Sequence, residues 1–198
     1  DKYIAVFVDI MKLIHSTAVK PGDLPSMKAV ALDWADYLKG HIPQAQQEKL
    51  HALIEAVPEH DYMLHGDYHG NNVMMQNGEP LMIDMDTLCV GHPVFELAST
   101  LTAYVGFSEM NPDSIKQFMK LDAQTGRQIW SRILPLYLNS QDETYVQSVA
   151  DKAMVIGYTR LLRRSLRREA DTEMGRKSIA HYKTRLTELL DRVDTLVF

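Results

Sequence analysis

The chain has 198 residues, 45% hydrophobic and 24% charged, with a formal net charge of −5. That length supports one well-formed core, and the acidic balance gives no general preference for a polyanion such as nucleic acid. No apolar run approaches a membrane span, and the apolar start at residues 3–14 is interrupted by Asp9 and Lys12 and lacks a processing site. Cys89 is alone, which excludes an internal disulfide framework and suits a reducing compartment such as the cytoplasm.

From the start of the chain, Ile4, Phe7, Val8, Met11 and Ile14 recur at helical spacing and predict a buried helix to about Thr17. Pro21-Gly22-Asp23-Leu24-Pro25 breaks it. A second helix is expected from Ser26 to Leu38, closed by Gly40, and a third from Pro43 to Val57. Strand-like character is confined to the stretch from Tyr62 to Ile83, where Asn77-Gly78 marks a hairpin turn. Helices are then expected over Pro93–Tyr104, Pro112–Leu121, Gln124–Leu138 (with Pro135 bending or ending it), Asp142 to about Ala170, and Met174–Leu196. A hairpin set among so many helices predicts a mainly α fold, taken as one domain over residues 1–198, with polar loops on its surface.

The chemistry concentrates in His65-Gly66-Asp67-Tyr68-His69-Gly70-Asn71-Asn72 and in Leu81-Met82-Ile83-Asp84-Met85-Asp86. A hairpin between these two turns brings Asp67, Asn72 and Asp84 together. Phosphoryl transfer needs such a set: a carboxylate to orient the acceptor hydroxyl and take its proton, and hard oxygen ligands for Mg²⁺ beside the nucleotide phosphates. Asp67 suits the first task, Asn72 and Asp84 the second. Asp86 shares the strand parity of Asp84 and is a further candidate, either as ligand or as orienting group. His65 and His69 are expected chiefly to tie the loop together. The same His65, Asp67 and His69, with Cys89 and His92 nearby, also allow a metal-dependent hydrolase, although that scheme gives Asn72 and Asp84 no part. Methionines 74, 75, 82 and 85 are expected to pack around the hairpin, and Trp34 and Trp130 to pack in helices.

His65-Gly66-Asp67 followed by Asn72 resembles the catalytic loop of the kinase superfamily. The glycine, the second histidine and Met82-Ile83-Asp84-Met85-Asp86 are similar specifically to the aminoglycoside phosphotransferase and choline kinase family. Gly91-His92-Pro93-Val94-Phe95-Glu96-Leu97-Ala98 stands where that family usually has Gly-Asp-Pro-x-x-Asp-Leu-Ala, and Leu13-Ile14-His15-Ser16 is similar to a helix end before its substrate-side region. The resemblance departs at Gly70-Asn71, where Pro-Gly is common, and at His92 and Glu96. It implies a kinase-like helical carboxyl-terminal lobe using ATP or GTP with Mg²⁺, Asp67 as catalytic base, and Asn72 and Asp84 as metal ligands. The implied partner is a small molecule bearing a hydroxyl.

Such an enzyme would also carry a five-stranded nucleotide lobe with a Gly-rich loop and a strand lysine. Only Gly22 and Gly40 precede the catalytic loop, and Lys2, Lys12 and Lys20 lie in or beside the first helix. The 198 residues are therefore expected to be one lobe of a larger enzyme, with impaired turnover alone and an exposed apolar lobe interface that could drive self-association. A non-catalytic kinase-like binding or regulatory domain is the alternative. Tyr104, Glu109, Asp113, Trp130 and Tyr137 are expected to be core, cap or surface rather than substrate ligands, while Asp142 and Glu143 are open. The stripe Arg160, Arg163, Arg164, Arg167 and Arg168 is read as a solvated face, with phosphate or nucleic-acid contact the competing reading.

Overall fold

The computed structural model describes residues 2–198. Eight α-helices occur among them: α1 (Lys2–His15), α2 (Met27–Tyr37), α3 (Gln44–Glu55), α4 (Pro93–Tyr104), α5 (Pro112–Met119), α6 (Ala123–Leu138), α7 (Glu143–Arg168) and α8 (Glu173–Leu190). Four short strands complete the fold: β1 (Met63–Leu64), β2 (Val73–Gln76), β3 (Glu79–Met82) and β4 (Cys89–Val90). The expected mainly α fold with a small hairpin is what the chain adopts.

Burial explains why α4 and α7 sit at the centre. Every residue of α4 from Val94 to Tyr104 is buried, as is α7 from Ala153 to Thr159. A helix apolar or small on all sides has no face to offer water and must be surrounded. The two pack on each other; α8 and α2 cover α7, and α6 packs on α4. α1 lays Phe7, Val8, Met11 and Ile14 inward and packs on α6. Side-chain caps define several entries: Ser26 accepts from the Ala29 N–H, His92 from Val94, Asp122 from Thr125, and Asp142 from Thr144 and Tyr145. Each such cap contributes about 1 kcal/mol.

The hairpin pairs Val73 with Met82, Met74 with Leu81, Met75 with Pro80, and Gln76 with Glu79. Asn77 and Gly78 both have positive φ (53° and 86°), as a two-residue turn matched to strand twist requires. A second sheet, β1 against β4, was not apparent from the sequence. Two expectations need correction. Met74, Met75 and Met85 are exposed, so only Met82 of that group packs against the core. The last helix stops at Leu190 rather than Leu196, and the chain beyond lays Val193 and Leu196 into the core, imitating helical spacing without continuing the helix. Pro135 stands in the last turn of α6, which closes on left-handed Asn139. No helix among the described residues is long and apolar enough to cross a membrane.

Candidate functional site

The loop that follows β1 is held almost entirely by side chains. Glu96, 1% exposed on α4, accepts from the backbone N–H of His65 and, at 3.1 Å, from that of Gly66. Thr87 Oγ1 donates to the His65 carbonyl (2.7 Å), Ser99 Oγ to that of Gly66 (3.4 Å), and Thr100 Oγ1 to that of Tyr68 (3.0 Å). Tyr68 itself is fully buried, and its hydroxyl donates to the Phe7 carbonyl. Gly66 has φ +82°, and a Cβ there would collide with the Thr87 carbonyl, so this turn admits only glycine. The backbone of the loop is thus fixed before any ligand arrives.

The side chains of the loop are placed just as specifically. His65 is completely buried; its Nε2 lies 3.0 Å from the Ile83 carbonyl, and its Nδ1 accepts from the Asp67 N–H at 3.4 Å. A neutral ring protonated on Nε2 satisfies both contacts. His69, 4% exposed, points Nε2 at Asp67 Oδ2 (3.4 Å), and its buried Nδ1 has no partner. Arg160 of α7 brings Nη2 to 3.7 Å from Asp67 Oδ1, while its Nη1 donates to Ser99 Oγ at 3.1 Å. The hydrogen bond from His69, reinforced by the Arg160 charge, outweighs partial burial and holds the Asp67 carboxyl below the usual carboxylate range.

Asn72 is buried, and its amide nitrogen donates to the Asp67 carbonyl at 2.9 Å, which leaves the amide oxygen for another partner. The Ile83 N–H donates to the Asn72 carbonyl at 3.0 Å, so the next residue, Asp84, leaves the hairpin beside the loop. Asp84 is exposed and left-handed, with φ 59° and ψ 56°. Extended geometry ends at Met82, and Asp86 lies on a 3-10 turn over Met85–Thr87, so the parity expected to link it to Asp84 does not hold. Asn72 and Asp84 together offer a neutral and a charged oxygen, a donor set that fits Mg²⁺ completed by phosphate oxygens.

A hydrolase centre is less well served. Both nitrogens of His65 are engaged with backbone, and no group of three His, Cys, Asp or Glu among the described residues is placed to hold a metal. Cys89 is buried, and burial pushes its thiol up to about 12. His92 caps α4 through Nδ1, and burial lowers it to about 4.

Asp67 and His69 open onto a cavity of about 500 Å³. Its other walls come from α4 (Ser99, Ala103), Phe107, α5 (Ser114, Ile115, Gln117, Phe118) and α7 (Arg160, Arg164). Of the residues weighed for substrate contact, Tyr104 and Trp130 are buried, Tyr137 pairs with His15 at 2.8 Å, and Asp142 caps α7. Glu109 pairs with His181 and Tyr158. Two residues gain unexpected weight. Glu96 had only its place in the family pattern to mark it, and Arg160 lay hidden in a stripe of five arginines.

The geometry can be set against known proteins. A sequence profile described as the phosphotransferase enzyme family (APH) matches residues 12–143. The crystal structure of a thermostable mutant of aminoglycoside phosphotransferase APH(4)-Ia, in ternary complex with ADP and hygromycin B, superposes with a TM-score of 0.52 at 16% identity. The alignment covers 96% of this chain and 65% of the other, so the chain spans under two thirds of that protein. Comparison with curated protein sequences returned no significant match.

Proposed function

The chain belongs to the phosphotransferase enzyme family, and from that premise we propose that it forms the helical lobe of an enzyme transferring a phosphoryl group from ATP or GTP to a hydroxyl on a small molecule. One observation carries the reading: Asp67 is kept ionised by His69 and Arg160, on a rigid loop at the edge of a cavity of about 500 Å³.

In this reading Asp67 orients the acceptor hydroxyl and takes its proton. The hydroxyl oxygen forms the new bond to the terminal phosphorus as the bond to the nucleoside diphosphate breaks. Asn72 and Asp84 would hold Mg²⁺, which would supply neutralisation of phosphate charge. His65 is a positioning residue: it joins the Asp67 N–H to the Ile83 carbonyl and so couples the two halves of the site. Glu96 positions the loop from below. A nucleotide lobe would meet the hairpin, where Met74 and Leu81 on one face and Met75 on the other are exposed, as is Met85 on the turn that follows. That lobe is the expected partner, and the 198-residue chain alone is expected to turn over poorly.

The test uses the full-length protein, Mg²⁺, ATP or GTP, and a panel of hydroxyl compounds, with nucleoside diphosphate release as readout. Acceptor-dependent release that stops when Mg²⁺ is chelated supports the proposal. Nucleotide binding without release for any acceptor would favour a non-catalytic kinase-like domain instead.

A further inference from the structure

The cavity beside Asp67 has a charge pattern that narrows the acceptor. Arg160 and Arg164 stand four residues apart on α7, hence one above the other on the same helix face, and both line the cavity. Asp67 is the sole carboxylate among the lining residues. Each guanidinium is also backed by an aromatic ring: Arg160 lies 5.7 Å from the Trp34 ring centroid and Arg164 5.4 Å from that of Phe107. Arg160 is further oriented by Ser99, and Arg164 by Glu169 at 3.1 Å. Stacking and tethering hold the two planar groups in place while leaving several of their N–H donors uncommitted.

From this we infer that the acceptor carries an anionic group, a carboxylate or a phosphate, in addition to its reacting hydroxyl, and that Arg164 and Arg160 receive it. The inference rests on the phosphotransfer reading for the role of Asp67 and deepens it. Two planar, preoriented guanidiniums suit the paired oxygens of either anion. The same wall opposes cations. Within the lining a polyamine sugar would meet two guanidiniums and one carboxylate, Glu169 being engaged with Arg164 from outside it, and a quaternary ammonium would find the Phe107 ring already carrying Arg164 and the Phe118 ring packed against His69. The cavity volume lies within the range of small-ligand sites.

The test compares four probes against the full-length protein with Mg²⁺ and ADP: glycerate, glycerol 3-phosphate, glycerol and choline. Binding is read by calorimetry, independent of turnover. The expected result is at least tenfold tighter binding of one anionic probe than of glycerol, weakening as salt is raised, with choline not bound. Preference for glycerate identifies a carboxylate, and preference for glycerol 3-phosphate a phosphate. Arg164→Gln should remove most of that preference and Arg164→Lys should restore part of it. Equal binding of all four probes, preference for choline, or an anion preference untouched by Arg164→Gln overturns the inference. Turnover with a neutral or cationic acceptor alone would overturn it while leaving phosphotransfer standing. Anion binding without nucleoside diphosphate formation would do the reverse.

Discussion

From His65 to Asn72 the chain is pinned by Thr87, Glu96, Ser99 and Thr100, and its two histidines and Asn72 are buried. From Asp84 to Asp86 the neighbouring segment is exposed, starts from a left-handed residue and borders the exposed methionines of the hairpin. The backbone hydrogen bond from Ile83 to Asn72, the His65 ring and the Thr87 hydroxyl join the two. The contrast separates tasks. On the proposed reading, Asp67, which would take the acceptor proton, is preorganised by the helices around it, whereas Asp84, which would bind the metal, faces outward, where nucleotide phosphates and a second lobe would complete its surroundings.

The largest expected effect falls on the pinned side. Glu96→Ala strips the acceptor from two backbone N–H groups beneath the loop, at about 3 kcal/mol or more. In thermal unfolding Tm should fall by roughly 6 °C or more, and an unchanged Tm would mean the loop does not depend on α4. Next comes His92, whose folded pKa of about 4 lies below its ordinary value of 6.5. The unfolded chain therefore binds the proton first: stability is full above about pH 6.5 and declines as pH falls towards 4, by about 3 kcal/mol. His92→Asn keeps a capping side chain but removes this titration. Urea unfolding at pH 7 and pH 4.5 should show a smaller acid loss in the variant, and equal losses would contradict the assignment.

On the exposed side, Asp84→Asn should weaken Mg²⁺-nucleotide binding about tenfold while changing stability by less than about 0.5 kcal/mol, because asparagine tolerates left-handed backbone. Paired calorimetry and urea titration read both quantities, and a large stability loss would erase the contrast drawn here. Smallest of all, Met75→Lys on the hairpin should leave unfolding unchanged within about 0.5 kcal/mol. Its effect should appear only as reduced self-association in sedimentation.

Local chemistry was legible in the sequence, and distant convergence was not. The Asn77-Gly78 turn, the loop from His65 to Asn72 and the hairpin leading to Asp84 are written in consecutive residues whose backbone needs are specific. Arg160 reaches Asp67 only because α7 packs on α4, and nothing in a stripe of five arginines says which one faces inward. Glu96 could be flagged by its place after Gly91-His92-Pro93, but its role depends on the docking of α4 beneath the loop. The methionines misled because methionine suits an exposed strand as readily as a core gap, and spacing alone does not say which. The end of the chain misled because Val193 and Leu196 keep helical spacing and are buried although the helix has already ended at Leu190.

Single-turnover phosphoryl transfer by the full-length protein, wild type against Asp67→Asn, with the nucleotide dissociation constant measured in parallel, tests the central claim most directly. Loss of the carboxylate should slow the chemical step by about 10²–10⁴-fold and leave nucleotide affinity within about twofold. A variant that transfers phosphate at the wild-type rate would show that Asp67 is not the base.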